Sequence, residues 1–312
     1  MKKSIIALAV AGALAAPAIS MADATLYGRI HERVVFQESN DAAIQNAGHR
    51  LGVKGESEMD SGLTAFYQLE TEYQSMDDTA SQAASGAPAA DLHVRLAFAG
   101  VKGDFGTVTV GRLNNPYSDI YTADIFEYNS GIYEASTFRL GNAITYATPD
   151  MNGFGAAVGL SATGEGDSDT YNDADSYLAQ VHYSANGLTA VAAYQSYNST
   201  DASGDTEDDY GLGLSYTVNN LLFAGYYEHS ENDASEDVDN WDLAVQYTMD
   251  KTKLGFLYGE SDKDSNDEQR AMVGVYHDLG GGADIYAEYG IYDDDNGTND
   301  DDNVVVGYRI KF

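Results

Sequence analysis

The sequence predicts an all-β fold, a transmembrane antiparallel up-and-down β-barrel of sixteen strands. Two observations lead to this prediction. Apolar and polar residues alternate with a period of two in segments along the chain, up to the last residue. Such alternation is typical of strands whose two faces meet different surroundings. Short and long connections also alternate between the segments, as expected where strands are joined as hairpins.

Each predicted strand has one apolar face and one polar or small face. Trp241, Leu243 and Val245, for example, alternate with Asp242 and Ala244. No segment of comparable length shows the 3.6-residue period of an amphipathic helix. The predicted strands are 24–36, 49–56, 63–73, 92–102, 107–113, 142–147, 154–161, 176–184, 188–197, 209–218, 221–230, 240–249, 252–260, 269–277, 283–292 and 303–312.

Two architectures fit repeated antiparallel hairpins, a two-sheet sandwich and a closed barrel. A sandwich would fill its inner face with large apolar side chains. Here the large apolar residues lie on one face, and the other carries Arg, Gln, Glu, Thr, Ser and Gly. A membrane barrel needs this pattern, because lipid contacts its outer face and water fills its lumen. The 24 Tyr residues would supply its interfacial girdles, although ordinary strand propensity also favours Tyr.

The N-terminus has the pattern of a secretory signal peptide. Lys2 and Lys3 precede an apolar run, Ile5–Ala16, and small residues end at Ala22. The alternative is a membrane-anchoring helix, but spanning a bilayer needs about 20 apolar residues. We therefore expect residues 1–22 to be removed on export and residues 23–312 to form the barrel domain.

Composition excludes several classes of function. The chain has 312 residues, no Cys and a net charge of −34. This charge argues against nucleic acid as a partner, because phosphate binding needs the opposite sign. The lack of Cys excludes disulfides, iron–sulfur clusters and thiolate metal sites.

Four stretches of the chain resemble the general, non-specific porins of Gram-negative bacteria, which are outer-membrane diffusion channels. They are DATLYGRI, RLGVKGESEMDSGLTAFYQLE, AFAGVKGDFGTVTVGRL and the terminal VVVGYRIKF. They occur in order over the whole chain after the signal peptide. The loops are more acidic, and the chain shorter, than is typical of that family.

The resemblance implies a homotrimeric barrel in the cell outer membrane, in contact with lipid and lipopolysaccharide. It also implies that the third external loop folds inward and narrows the pore. The chain ends on an aromatic residue, as outer-membrane barrels do, and the resemblance implies that this end is read as an assembly signal. The residues expected to form the signal are Tyr308, Ile310 and Phe312.

The segment 114–141 stands where that family has its inward-folded loop. Its acidic residues would face basic residues on the polar faces of early strands, giving a transverse field across a narrow, water-filled gap. The predicted loop residues are Asp119, Asp124, Glu127 and Glu134. The predicted wall residues are Arg29, Arg33, Arg50, Lys54, Arg95 and Arg112.

Arg112 is the exception among the wall residues. Strand parity puts it on the outward face with Val108 and Val110. A bulge at Gly111, or the end of the strand there, would turn it inward.

No motif for catalysis or for a bound group is found. The six His residues are scattered over separate strands, and no HExxH pair occurs. The acidic run 293–297 lacks two carboxylates that an EF-hand register requires. We therefore expect no metal, no cofactor and no enzyme activity.

The leading interpretation is passive diffusion of ions and small hydrophilic solutes through a water-filled pore. Two alternatives stay open, an outer-membrane barrel enzyme of lipase or protease type and a closed barrel with a structural or adhesive role. Five long connections hold 26 of the 50 acidic residues, which favours cations. Wall arginines at the constriction would instead favour anions.

Overall fold

The computed structural model describes residues 24–38, 40–73, 92–128, 138–162, 174–198, 206–232, 236–263, 267–294 and 302–312. The predicted signal peptide lies outside these residues. The strands are β1 (Thr25–Gln37), β2 (Asn40–Asn46), β3 (His49–Glu58), β4 (Thr64–Tyr73), β5 (Leu92–Gly103), β6 (Gly106–Asn114), β7 (Arg139–Ala147), β8 (Phe154–Ser161), β9 (Ser176–Ala185), β10 (Leu188–Asn198), β11 (Thr206–Val218), β12 (Leu221–Asn232), β13 (Val238–Met249), β14 (Thr252–Lys263), β15 (Glu268–Gly280), β16 (Ala283–Asp294) and β17 (Asn303–Lys311).

These strands form a closed antiparallel barrel with sixteen positions. Each strand from β3 to β16 pairs with the next one along the chain, and β17 pairs with β1 over nine residues to close the ring. One position is shared by two segments, because β2 and β3 both pair with β1. The prediction of a sixteen-stranded antiparallel barrel is confirmed.

The boundary between β2 and β3 is the one place where the predicted strands miss a segment. Residues 40–46 were expected to belong to a connection, yet they pair with the second half of β1. Ala47 and Gly48 interrupt the ladder, and Gly48 has a φ of +86°, which glycine adopts without strain. The chain then resumes pairing with the first half of β1 at Arg50.

The two faces of each strand differ as the alternation predicts. On β11, Leu212 and Leu214 are 57% and 53% exposed on the outer face, while Gly211 and Gly213 are buried on the inner face. The same alternation along β13 and β17 buries Val305 on the inner face but leaves Leu243, Val245, Val304 and Val306 outward. A two-sheet sandwich would bury these apolar residues, so the observed faces exclude it.

The two rims of the barrel differ in their connections. Tight turns join the strands at the rim where β1 begins and β17 ends. At Asn186–Gly187, for example, both residues have positive φ, as a two-residue hairpin turn requires. The strand ends that flank the longer, acidic connections lie at the opposite rim, because successive connections of an up-and-down barrel alternate between its ends.

The terminal residue completes the closure at the rim with the tight turns. The Phe312 amide donates to the Gly28 carbonyl at 3.1 Å, and the Gly28 amide donates to the Phe312 carbonyl at 2.9 Å. The Phe312 ring covers Gly28, where a Cβ would lie 2.5 Å from the ring. Tyr308 and Phe312 are exposed on the outer face, and the ladder pairs Ile310 with Ile30.

The connection between β6 and β7 has its own short 3-10 helix, Pro116–Ile120. The Asn115 side chain caps it by accepting a hydrogen bond from the Tyr117 amide at 3.1 Å. No helix in the described parts of the chain is long and apolar enough to cross a membrane.

Candidate functional site

A network of arginines and glutamates covers the inner face of β3, β4 and β5. Arg50 Nε donates to Glu72 Oε2 at 3.0 Å. Arg95 donates from Nε to Glu70 Oε1 at 2.8 Å and from Nη1 to Glu72 Oε2 at 2.9 Å. Both carboxylates are nearly buried. Each arginine is therefore charge-compensated and held in one orientation.

Arg29 and Arg33 on β1 reach the lumen, and neither forms an ion pair with a carboxylate of the described residues. Arg29 Nε donates to the Gly48 carbonyl at 3.0 Å. Arg33 Nε donates to Gln45 Oε1 at 3.1 Å, and its guanidinium lies 4.4 Å from the centre of the Tyr128 ring. Within that part of the chain, both guanidinium groups therefore lack a directly paired carboxylate on this side of the lumen. We call Arg29, Arg33, Arg50 and Arg95 the basic wall.

Lys54 and Arg112 lie apart from the basic wall. The Lys54 ammonium stands 5.4 Å from the centre of the Tyr27 ring. Arg112 pairs with Ala97 in the β5–β6 ladder, and its Nε donates to the Val94 carbonyl at 3.0 Å.

The irregularity expected beside Arg112 is present on the neighbouring strand. The β6–β7 ladder shifts between Gly111 and Leu113, where two residues of β7, Gly141 and Asn142, lie opposite Arg112 alone. The extra residue is therefore on β7. Ladder parity keeps Arg112 on the face of Val110, and the structure does not bring it to the other predicted wall residues.

Residues 115–128, which we call the inner segment, pack against the inner face of the wall opposite the basic wall. The Tyr117 and Tyr121 hydroxyls both donate to Glu228 Oε1, at 2.9 and 2.8 Å. Tyr117, Ile120 and Glu228 are fully buried in this contact. Burial and the Glu228 charge raise the pKa of both tyrosines, which therefore stay protonated donors.

The far end of the inner segment is tied to β16 and β17. The backbone amides of Glu127 and Tyr128 donate to the Glu288 carboxylate at 2.7 and 3.1 Å. The Glu127 side chain forms an ion pair with Arg309. Arg309 also pairs with Asp284 at 3.1 Å. The inner segment thus spans the lumen from β10 to β17.

The predicted loop acids have different environments. Asp119 Oδ2 accepts a hydrogen bond from Gln180 Nε2 at 2.9 Å, and no base within the described residues pairs with it. Asp124 is exposed to water and likewise has no basic partner in that part of the chain. Glu127 is compensated by Arg309, as described above. Glu134 lies outside the described residues.

The surroundings of Asp124 change its acidity. Although Asp124 is exposed, the neighbouring wall withdraws part of the hydration of its carboxylate, and the charges of Glu127 and Asp242 add to this effect. Together they raise its pKa to about 6, although Arg270 acts in the opposite direction. Asp124 is therefore negative at neutral pH and loses its charge on mild acidification.

Several charged residues of this site were not predicted individually. All of them lie on polar faces of predicted strands: Glu70, Glu72, Glu228, Glu288 and Arg309. Strand parity would have pointed each of them into the lumen. It could not have shown which of them contact the inner segment, since 111 residues separate Tyr117 from Glu228.

The site has no arrangement suited to a metal. Within the described ranges, no group of three or more His, Cys, Asp or Glu side chains is placed to hold an ion. What the arrangement can do is electrostatic, because exposed carboxylates on the inner segment and the guanidinium groups of the basic wall share one lumen. A dissolved solute between them would experience a transverse field.

The sequence matches the family profile described as Gram-negative porin over residues 7–297. The chain belongs to the Gram-negative porin family. It is an outer-membrane porin for passive diffusion of solutes, and its localisation in the outer membrane is as predicted. The resemblance found in the sequence is thereby confirmed.

Known proteins support this assignment over most of the chain. Outer membrane porin N of Escherichia coli K12 is 26% identical over the full length of both chains. The solved anion-selective porin from Comamonas acidovorans has a TM-score of 0.78 at 19% identity, covering 93% of this chain and 99% of its own. The trimer form of OmpT from Vibrio cholerae has a TM-score of 0.73 at 20% identity, with the same coverage. These structural likenesses show the fold.

The raised pKa of Asp124 gives a testable pH dependence. We predict that permeability to K⁺ relative to Cl⁻ falls as pH is lowered from 7.5 to 5, with a midpoint near 6, because Asp124 takes up a proton in this range. Reversal potentials in planar bilayers measure the ratio. The Asp124→Asn variant should start from a lower ratio and lose most of the pH step. An identical pH dependence in both proteins would contradict the assignment.

Proposed function

We propose that the inner segment is the inward-folded third external loop of this porin and that the pore it borders prefers cations. The observation that carries the proposal is the difference in charge compensation across the lumen. Asp119 and Asp124 face water without a basic partner in the described residues, whereas Arg50 and Arg95 are tied to Glu70 and Glu72. Uncompensated carboxylates raise the local concentration of cations.

The rim with the long connections supports the same preference. The segments 162–175, 198–209, 231–239, 260–268 and 293–302 hold 26 of the 50 acidic residues. If this rim faces outside, solutes enter through a negative vestibule. Salt weakens its effect, since the Debye length falls from about 10 Å at 0.1 M to about 3 Å at 1 M.

An open lumen is supported by space beside the inner segment. A cavity of about 370 Å³ lies between Glu127 on the inner segment and Lys253 and Lys311 on the wall. A closed structural barrel would fill this space with side chains. The relatives that match are porins, so we infer that the pore works without catalysis or a cofactor.

The competing possibility is anion preference. Within the described residues, Arg29 and Arg33 lack a directly paired carboxylate, and one porin of the same fold is described as anion-selective. The two preferences give reversal potentials of opposite sign, so a single measurement separates them.

We predict that a tenfold gradient of dilute KCl gives a reversal potential with the sign of K⁺ preference, shrinking as salt rises. A triple variant, Asp119→Asn, Asp124→Asn and Glu127→Gln, should reduce the K⁺ preference. The reduction should be larger than that caused by neutralising the six acidic residues of 293–302. The comparison holds because the inner segment borders the narrow part of the pore. A larger change from the 293–302 variant would place the selectivity at the rim instead.

We also propose that the protein is a homotrimer and that part of its outer face is covered by a second copy. The supporting observation is Glu32, which strand parity places on the outer face at mid-height of β1 and which pairs with His49 at 2.8 Å. A charged group facing hydrocarbon is costly. Protein contact there removes this cost, and lipid and lipopolysaccharide would contact the rest of the outer face.

The trimer can be tested on gels. The purified protein should run as a trimer without heating and as a monomer after heating. Replacing Glu32 by Lys should weaken the trimer, whereas Lys in place of Leu243, an outward residue on β13, should leave the trimer intact in the protein that reaches the membrane. A wild-type band at monomer size in unheated samples would contradict the proposal.

A further inference from the structure

The inner segment rests on wall positions that have no side chain. Ile120 is fully buried against Gly211 and Gly213 on β11. A Cβ at Gly211 would lie 2.1 Å from Ile120 Cδ1, and a Cβ at Gly213 would lie 2.1 Å from the Ile120 carbonyl oxygen. Any larger residue at either position therefore requires the inner segment to move.

A second pair of glycines on the wall contacts the other end of the inner segment. Phe126 packs over Gly255 on β14 and Gly274 on β15. A Cβ at Gly274 would lie 2.9 Å from the Phe126 ring. The segment can thus approach the wall backbone at two places, because four wall positions are glycines: Gly211, Gly213, Gly255 and Gly274.

A buried carboxylate holds the inner segment near these two glycine contacts. Glu228 on β12 has no exposed surface and accepts the hydroxyl hydrogen bonds of both Tyr117 and Tyr121. Thr122 adds a hydrogen bond of 2.8 Å to the Gly225 carbonyl. A buried carboxylate that loses its donors must be rehydrated, so this contact favours one position of the segment.

We propose that Gly211, Gly213 and Glu228 are positioning residues, which set how far the inner segment projects from the wall and thereby the cross-section of the pore. They act through the segment and have no contact with solute. The inference rests on the proposed function, because it takes the inner segment to border the pore. It adds that the wall residues beneath the inner segment determine how far the segment projects into the lumen.

The two glycines make different contacts with Ile120, and this difference gives a sharp test. Gly211→Ala and Gly213→Ala should each push the segment into the lumen and lower single-channel conductance by about one-fifth or more. Ile120→Val removes Cδ1, the nearest atom that Gly211→Ala meets, and leaves only the end of the Tyr117 side chain within 3.0 Å. It also leaves the carbonyl oxygen, which Gly213→Ala meets. Ile120→Val should therefore restore most of the conductance in the Gly211→Ala protein and none in the Gly213→Ala protein.

The matched control is Gly55→Ala. Gly55 lies on the outer face of β3, away from the inner segment, and pairs with Tyr67, and a Cβ there would meet the hydroxyl end of that side chain at 2.8 Å. This variant should conduct like the wild type. Unchanged conductance in Gly211→Ala and Gly213→Ala, or restoration of both by Ile120→Val, would overturn the inference.

A second variant covers the case in which an added methyl group prevents assembly. Tyr117→Phe combined with Tyr121→Phe removes the two tyrosine donors to Glu228, leaves the 3.4 Å hydrogen bond from Asn240, and adds no atom to the wall. It should release the segment and raise conductance and open-channel noise. Adding Glu228→Gln removes the buried charge and should bring both back toward wild type. Unchanged conductance and noise in the double variant would count against the proposal.

The outcomes also separate this inference from the proposed function. If the glycine and tyrosine variants conduct normally while neutralising Asp119 and Asp124 still shifts the reversal potential, only the positioning role is wrong. If neither group of variants has an effect, the inner segment does not border the pore, and both proposals are wrong.

Discussion

The structure depends on one constraint, the closure of the hydrogen-bonded ladder between β1 and β17. Within a membrane no water is present to satisfy backbone amides and carbonyls, and each unsatisfied group costs several kcal/mol. An open sheet would leave a whole edge unpaired. The nine residue pairs between β1 and β17, together with the Gly28–Phe312 contact, remove that edge.

Closure also determines where charge can lie. Once the strands form a ring, alternate residues of each strand must point into the lumen, where water can hydrate them. Arg29 and Arg33 on β1, Arg50 on β3 and Glu228 on β12 all obey this parity. The barrel therefore concentrates ionisable groups inside, and a segment entering the lumen meets a charged wall.

The wall is not uniform, and this decides where the inner segment lies. Charged side chains crowd the inner faces of β3, β4 and β5. On β10 to β13 the inner face carries Ala193, Gly211, Gly213, Ala224 and Ala244, which leave room. The inner segment occupies that room, where Asp119 accepts a hydrogen bond from Gln180 on β9 and Asp124 stays exposed to water.

Much of this organisation was predictable from the sequence, because strand parity is a local property. The predicted strands lie within three residues of the observed ends, and the polar-face arginines of β1, β3 and β5 point inward as expected. The segment 40–46 was missed because NDAAIQN shows no apolar alternation. The break between β2 and β3 at Gly48 is not marked by any distinct sequence pattern either.

Contacts between distant residues were not predictable in this way. Nothing in the sequence pairs Ile120 with Gly213, or Tyr121 with Glu228, since these depend on how far the inner segment enters the lumen. The register shift of the β6–β7 ladder beside Arg112 was likewise not predictable in detail. A bulge was foreseen at Gly111, but the pairing that places the extra residue on β7 is a property of the ladder.

The central claim is that solutes pass between the inner segment and the basic wall. The chain has no Cys, so a single Cys introduced at Asp124 is the only thiol to react. Recording reversal potential while adding a sulfonate-bearing or an ammonium-bearing methanethiosulfonate reagent tests the claim directly. The sulfonate should restore cation preference and the ammonium should reduce it, with no effect on a Cys at Leu243. Equal potentials with both reagents, after complete labelling, would contradict the account.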